Sequence, residues 1–301
     1  MKNKAHEISK AREGDRLIKE KLSHIRRKIL VMSGKGGVGK STIAAYIALL
    51  LSQKGKKVGL LDVDLHGPSI PRLLDIQGGF GILGEGKVSP YLFSENLKVV
   101  SIEMVMGDRD TAVIWRGPLK ISAIRQFITD IEWGTMDYLI IDSPPGTGDE
   151  PLTVVQTIPD AEAIIVTTPQ EISLADVRKS INFCRQVKLR IMGIVENMSG
   201  FSCPHCGQDI AIFGSGGGSR MARDLGVPLL AEIPIDPVVV DRGDKGDLAA
   251  LVENKDLMIN KAYKKILDRI AKEGMPYGPM DDASMGFQLF TTQESAFSTD
   301  N

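Results

Sequence analysis

Cysteine is scarce in this chain: Cys184, Cys203 and Cys206 are the three among 301 residues. That excludes the disulfide framework of a small secreted domain. In a reducing compartment the close pair Cys203/Cys206 reads first as metal-binding or redox-active. An excess of either charge is also missing. The formal net charge is −1, so nothing points to bulk nucleic-acid affinity. No apolar run is long enough to span a membrane, and the charged N-terminus does not resemble a secretory leader. No long motif recurs, which excludes a repeat architecture. The expectation is a soluble cytoplasmic protein without a nucleic-acid or membrane partner. What is present is an ordinary globular balance, 43% hydrophobic and 25% charged, sufficient for one large α/β domain or two small ones.

Residues 1–27 are rich in Lys, Arg and Glu and poor in apolar side chains, and read as a solvated helical arm outside the core. From residue 28 the pattern changes. "KILVMS" is a continuous apolar run of the kind buried on both faces of a parallel sheet. "STIAAYIALLLSQKG" has helical period and stops at Gly55, a C-terminal cap. "KVGLLDVD", "LKVVSIE", "MDYLIIDS", "AEAIIVTTP", "LRIMGIVENM" and "VPLLAEIP" read as further strands. "GPLKISAIRQFITDI", "SLADVRKSINFCRQV", "GGSRMARDLG" and residues 256–273 read as helices. Strands alternating with helices predict a three-layer α/β fold over 28–273, its mainly parallel sheet flanked by helices on both faces. Residues 274–301 lose the periodicity and read as a flexible tail.

The stretch "GKGGVGKST" carries the clearest chemistry. Gly34, Gly36, Gly37 and Gly39 let the backbone fold tightly, so that the N–H groups through Val38 and into Thr42 turn toward phosphate oxygens at a helix N-terminus. Lys40 reaches the β- and γ-phosphates, and Ser41 is placed to ligate Mg²⁺. Lys35 is the departure from an ordinary phosphate loop. With Lys40 present, a second lysine is not needed for ground-state binding. In a face-to-face dimer it could reach the partner's phosphates and stabilise charge developing in the transition state. The competing reading is a solvated loop lysine. "LLDVD" and "LIIDSPPGTGDE" end apolar strands in carboxylates. Asp142 is the second support for Mg²⁺; Asp62 stands beside the nucleotide; Asp64, in a mobile loop, could orient the attacking water.

"FSCPHCGQDIAIFGSGGG" holds Cys203 and Cys206. A dithiol redox site would need a thioredoxin-like setting with the first Cys at a helix N-terminus, and Gly207 with a short apolar stretch follows instead. A zinc ribbon needs two pairs per chain. A [4Fe–4S] cluster or a tetrahedral zinc wants four thiolates, which a twofold dimer supplies at an isologous interface. His205 reads as a spacer and Cys184 as a small core residue.

Taken together, "GKGGVGKST", "DVDLHGPSIP" and "IIDSPPGTGDEPLT" resemble the deviant-Walker-A P-loop ATPases of the MinD/ParA superfamily, and within it the Mrp/ApbC branch of iron–sulfur cluster carriers, over residues 28–250. The resemblance implies a homodimeric, slow ATPase that uses ATP and Mg²⁺ and holds a [4Fe–4S] cluster between subunits on its C-x-x-C. Its donors would be cluster scaffold proteins and its recipients apo iron–sulfur proteins. It implies that Lys35 acts across the dimer, that Asn197 reads adenine, and that the segment around Pro234 packs near the base. A MinD/ParA-like positioning or regulatory ATPase is the alternative.

Overall fold

The computed structural model describes residues 16–65, 67–78, 81–83, 87–106, 117–203, 205–254 and 257–272. The apolar runs become strands in the order expected. They are β1 (Ile25–Ser33), β2 (Val58–Asp62), a small hairpin of β3 (Gly81–Leu83) and β4 (Lys87–Ser89), then β5 (Tyr91–Ser94), β6 (Leu97–Ser101), β7 (Met136–Asp142), β8 (Glu162–Thr167) and β9 (Arg190–Asn197). A second hairpin, β10 (Phe201–Ser202) and β11 (Asp209–Ile210), precedes β12 (Leu229–Ile233). Eight of these form one sheet in the order β12-β9-β8-β1-β7-β2-β6-β5. All neighbours are parallel except β5, which returns antiparallel on β6 at the edge. Central strands such as β2 and β8 are buried throughout, as a sheet covered on both faces requires.

Helices cover both faces. They are α1 (16–23), α2 (Lys40–Gln53), α3 (Ile70–Leu73), α4 (Glu103–Met106), α5 (Gly117–Asp130), α6 (Asp149–Thr157), α7 (Glu171–Gln186), α8 (Gly217–Leu225), α9 (Pro237–Asp244) and α10 (Met258–Ala271). The two hydrophobic clusters are the two sides of the sheet. One joins α2, α3 and α10 to the face bearing Ile29, Val31, Val166 and Val195. The other joins α1, α5, α6, α7 and α8 to the face bearing Leu30, Met32, Ile165 and Ile194. The stripe of α10 is spent in the first: Ile259, Tyr263, Ile266, Leu267 and Ile270 are all buried. Among the described residues no helix is long and apolar enough to cross a membrane.

The end of the charged arm departs from expectation. The first strand begins at Ile25 rather than at 28, with Ile25 paired to Met136. Ile18 and Leu22, one helical turn apart, are buried in the second cluster. The Lys21 ammonium donates to the Thr129 carbonyl at 2.8 Å, pinning α1 to the end of α5. Isolated apolar residues at helical spacing thus dock a mostly charged segment. Residues 1–15 and the tail from 273 onward lie outside the described residues.

Candidate functional site

The sheet delivers its polar residues to one edge. Asp62 and Asp142 end neighbouring parallel strands in direct register, and Val31, two residues from the end of β1, pairs with the same Asp142. Ser33, the last residue of β1, opens the phosphate loop. Gly37 and Gly39 adopt φ of +77° and +83°, which L side chains resist. Gly39 is at once the N-cap of α2 and so close to Asn197 that a Cβ there would run into Asn197 Nδ2. At Gly34 a Cβ would lie 2.5 Å from the Asp176 carbonyl oxygen, so α7 presses on the loop from behind. The loop, with Ser33, Asp64, Gly67, Ser69 and Pro145, encloses a cavity of about 380 Å³.

Lys40, the first residue of α2, is buried. Its Nζ stands 2.6 Å from Asp142 Oδ1 and 3.5 Å from Asp64 Oδ2. Burial alone would depress this ammonium, but Asp142, then Asp64 and Asp62, outweigh it and raise its pKa. Asp62 accepts from the Asp64 backbone N–H at 3.1 Å and from the Ser101 hydroxyl at 2.9 Å. Burial, and then the neighbouring Asp142, push Asp62 up to about 8. Asp142 is also raised, by burial. Three carboxylates thus surround the one buried ammonium of Lys40. Asp142 Oδ2 is buried with no hydrogen-bond partner, and the Ser41 hydroxyl stands beside the carboxylate. A hard divalent cation accepts such donors, so the residues present fit Mg²⁺.

A second cavity of about 450 Å³ adjoins the first through Gly39 and Thr42. Asn197 and Pro234 both line it, together with Ile43, Ile233 and Tyr263. Asn197 donates from Nδ2 to the Val38 carbonyl at 2.9 Å, which ties β9 to the phosphate loop. Its walls are mainly apolar, a shape that accepts a flat heterocycle. Lys35 stands apart. It is half-buried, and its ammonium has no ion-pair partner among the described residues.

The cysteines sit on the β10–β11 hairpin. Phe201 pairs with Ile210 and Ser202 with Asp209, and the turn closes with Cys203 N–H donating to the Gln208 carbonyl and Gly207 N–H to the Cys203 carbonyl. Cys203 is half-buried and Cys206 exposed. The backbone N–H groups of Cys206 and His205, then the Cys206 thiol, hold the Cys203 thiol below its usual range, favouring the thiolate form. Cys184 is buried against Met32, and burial pushes its thiol up to about 12, as a core residue. Among the described residues no three His, Cys, Asp or Glu side chains converge to hold a metal ion.

Several site residues escaped the sequence reading. Ser69, Gly67 and Pro145 line the phosphate cavity, and Ile212, Phe213, Val239 and Val240 wall the apolar one. Of these, α9 had a legible signal: Asp236 accepts from the Val238 N–H and Pro237 opens the helix.

Comparison with known proteins agrees with this geometry. Residues 24–271 match a family model described as ParA, the NUBPL iron-transfer P-loop NTPases. An iron-sulfur cluster carrier protein of Methanocaldococcus jannaschii is 47% identical over 260 residues, covering 86% of this chain and 89% of that one. Among solved structures, a nucleotide-binding protein from Archaeoglobus fulgidus in complex with ADP superimposes with a TM-score of 0.70 at 43% identity, over 79% of this chain and 93% of that one. The septum site-determining protein MinD of Pyrococcus horikoshii, complexed with Mg-ADP, gives 0.60 at 26%, over 82% and 96%. The chain therefore belongs to the ParA family of NUBPL-type iron-transfer P-loop NTPases.

Proposed function

We propose that the protein is an ATP-hydrolysing iron–sulfur cluster carrier that works as a homodimer, receiving a cluster from scaffold proteins and delivering it to apoproteins. The observation that carries this reading is one chain's pairing of a phosphate cradle with a surface hairpin offering two thiols. Two thiols cannot close a cubane site, so a second chain must supply the other two. The carrier name of the Methanocaldococcus relative supports the cargo, and the ADP complex of the Archaeoglobus protein supports the nucleotide.

In this reading ATP lies with its phosphates in the glycine cradle and its base between Asn197 and the Pro234 segment. Lys40 leaves its carboxylate partners to contact phosphate. Ser41 and Asp142 hold Mg²⁺, whose charge would neutralise the phosphate oxygens. Asp64, 6% exposed at the cavity wall, orients water toward the terminal phosphate. Lys35, having no partner in its own chain among the described residues, reaches across the dimer to the phosphates of the other subunit.

Anaerobic reconstitution with iron and sulfide tests this directly. Wild type should acquire thiolate-to-iron charge-transfer absorbance with matching iron and sulfide content. Cys203→Ala and Cys206→Ala should each lose it while retaining ATP hydrolysis, and Cys184→Ala should keep it. Concerted loss of ATP binding and cluster in the single variants would mean that the cysteines hold the fold instead.

A further inference from the structure

The segment from Ser199 to Gly217 carries the cysteines, and its ends converge on one side chain. Glu196 is fully buried on β9. Its Oε1 accepts from the Ser199 hydroxyl at 2.6 Å, where the segment leaves the strand. Its Oε2 accepts from the Gly218 N–H at the start of α8, where the segment returns. The glycine run "GSGGGS" serves this closure. Gly216 caps α8 at φ +71°. Gly217 is packed against the Pro169 carbonyl with no room for a Cβ. A Cβ on Gly218 would sit 2.8 Å from Glu196 Oε2. The carboxylate thus supplies the cap that the α8 N-terminus lacks from its own residues.

The next residue faces the other way, as successive strand residues must. Asn197 is bonded to the Val38 carbonyl of the phosphate loop and lines the apolar cavity. The cysteine segment reaches the same cavity from its far limb, through Ile212 and Phe213. Strand and segment therefore enclose one space. Backbone bonds from Ser199 N–H to the Ile233 carbonyl and from Ile235 N–H to the Gly200 carbonyl hold the segment's start, and Glu196 is the side chain that links that start to the return at α8.

We propose that Glu196 is a positioning residue that makes the cysteine hairpin respond to the nucleotide. It rests on the nucleotide reading of the two cavities given above. An adenine seated between Asn197 and the Pro234 segment shares its cavity with Ile212 and Phe213, and so bears on both the strand and the cysteine segment. With both ends of the segment tied to Glu196, displacement of Ile212 and Phe213 is passed to Cys203 and Cys206 rather than dissipated at a loose end. Without the tie, the nucleotide still binds but the cysteines no longer register it.

The test is the rate at which a disulfide reagent, 5,5′-dithiobis(2-nitrobenzoate), modifies the full-length apo protein with and without a saturating non-hydrolysable ATP analogue and Mg²⁺. Cys184 is buried, so the fast phase reports Cys203 and Cys206. Nucleotide affinity is measured on the same samples. In wild type the nucleotide should change the rate by about fivefold or more, the lower end of ordinary site-to-site coupling. Glu196→Gln offers an amide donor to one of two donors and should reduce the change below about twofold, with nucleotide affinity held within about threefold. Ser199→Ala cuts one tie at the segment's start and should give an intermediate loss; it decides the matter if Glu196→Gln does not fold. An undiminished nucleotide effect in these variants, or no effect in wild type despite tight nucleotide binding, overturns the proposal alone. Absence of nucleotide binding by wild type overturns the reading of the cavities, and the proposal with it.

Discussion

Lys40 Nζ lies 2.6 Å from Asp142 Oδ1, and the other oxygen of that carboxylate is buried without a hydrogen-bond partner. The lysine proposed to contact phosphate and the aspartate proposed to hold Mg²⁺ are therefore ion-pair partners of each other. Removing the lysine has two consequences. Lys40→Ala should weaken ATP binding by at least about 2 kcal/mol, the scale of a charge-assisted hydrogen bond. It also leaves Asp142, Asp64 and Asp62 without their buried cation. Calorimetric titration with ATP, beside a denaturant melt of each protein, checks both.

The acid pair makes stability depend on pH in an unusual direction. An unfolded aspartate loses its proton near 3.8, whereas Asp62 in the fold holds one up to about 8. Between those values the native state binds more protons than the unfolded state, so stability falls as pH rises, by about 1.4 kcal/mol per pH unit for one such group. Asp62→Asn copies the protonated form and should flatten that slope. Urea melts at pH 5, 6, 7 and 8 would show it; identical slopes in the two proteins would mean that Asp62 is ionised in the fold.

Lys35→Ala should bind ATP with near-normal affinity and lose about a thousandfold or more in hydrolysis, the scale of a cationic finger acting in trans. Mixing it with Lys40→Ala, which binds ATP poorly but keeps its own Lys35, should restore activity at one site of the mixed dimer. Steady-state phosphate release across mixing ratios reads this out. No rescue, with mixed dimers verified, would place the lysine's action within its own chain.

Asn197→Ala removes both the bond to the Val38 carbonyl and a polar group in the apolar cavity. ATP affinity should fall by about tenfold, and preference for ATP over GTP should narrow, because a buried hydrogen-bonding group is what rejects a mismatched base. Competition binding with the two nucleotides measures it.

The phosphate side of the site was legible in the sequence because its requirements are local. Glycines at fixed spacing, a lysine at the helix start and carboxylates closing apolar runs each encode their own geometry. The base side was not, since Ile212, Phe213 and Val240 come together only through folding, and nothing in their immediate neighbours marks them as a wall. "PVVVDRGD" forms α9 despite a β-branched run suited to strands, because Asp236 and Pro237 start a helix there. The burial of Ile18 and Leu22 was hidden by the charges around them, although their spacing of four carried the signal. Glu196 reads only as a strand residue, and its burial beneath Gly218 depends on the return of the distant glycine run.

Native mass measurement of the anaerobically reconstituted protein, with iron and sulfide determined on the same sample, tests the shared cluster most directly. With Cys203 and Cys206 as the close thiol pair of each chain, the cluster-bearing species should contain two chains and about one four-iron cluster, since four thiolates close one site. Dilution that separates the chains should release the cluster. A complete cluster on a verified single chain would contradict the bridging arrangement.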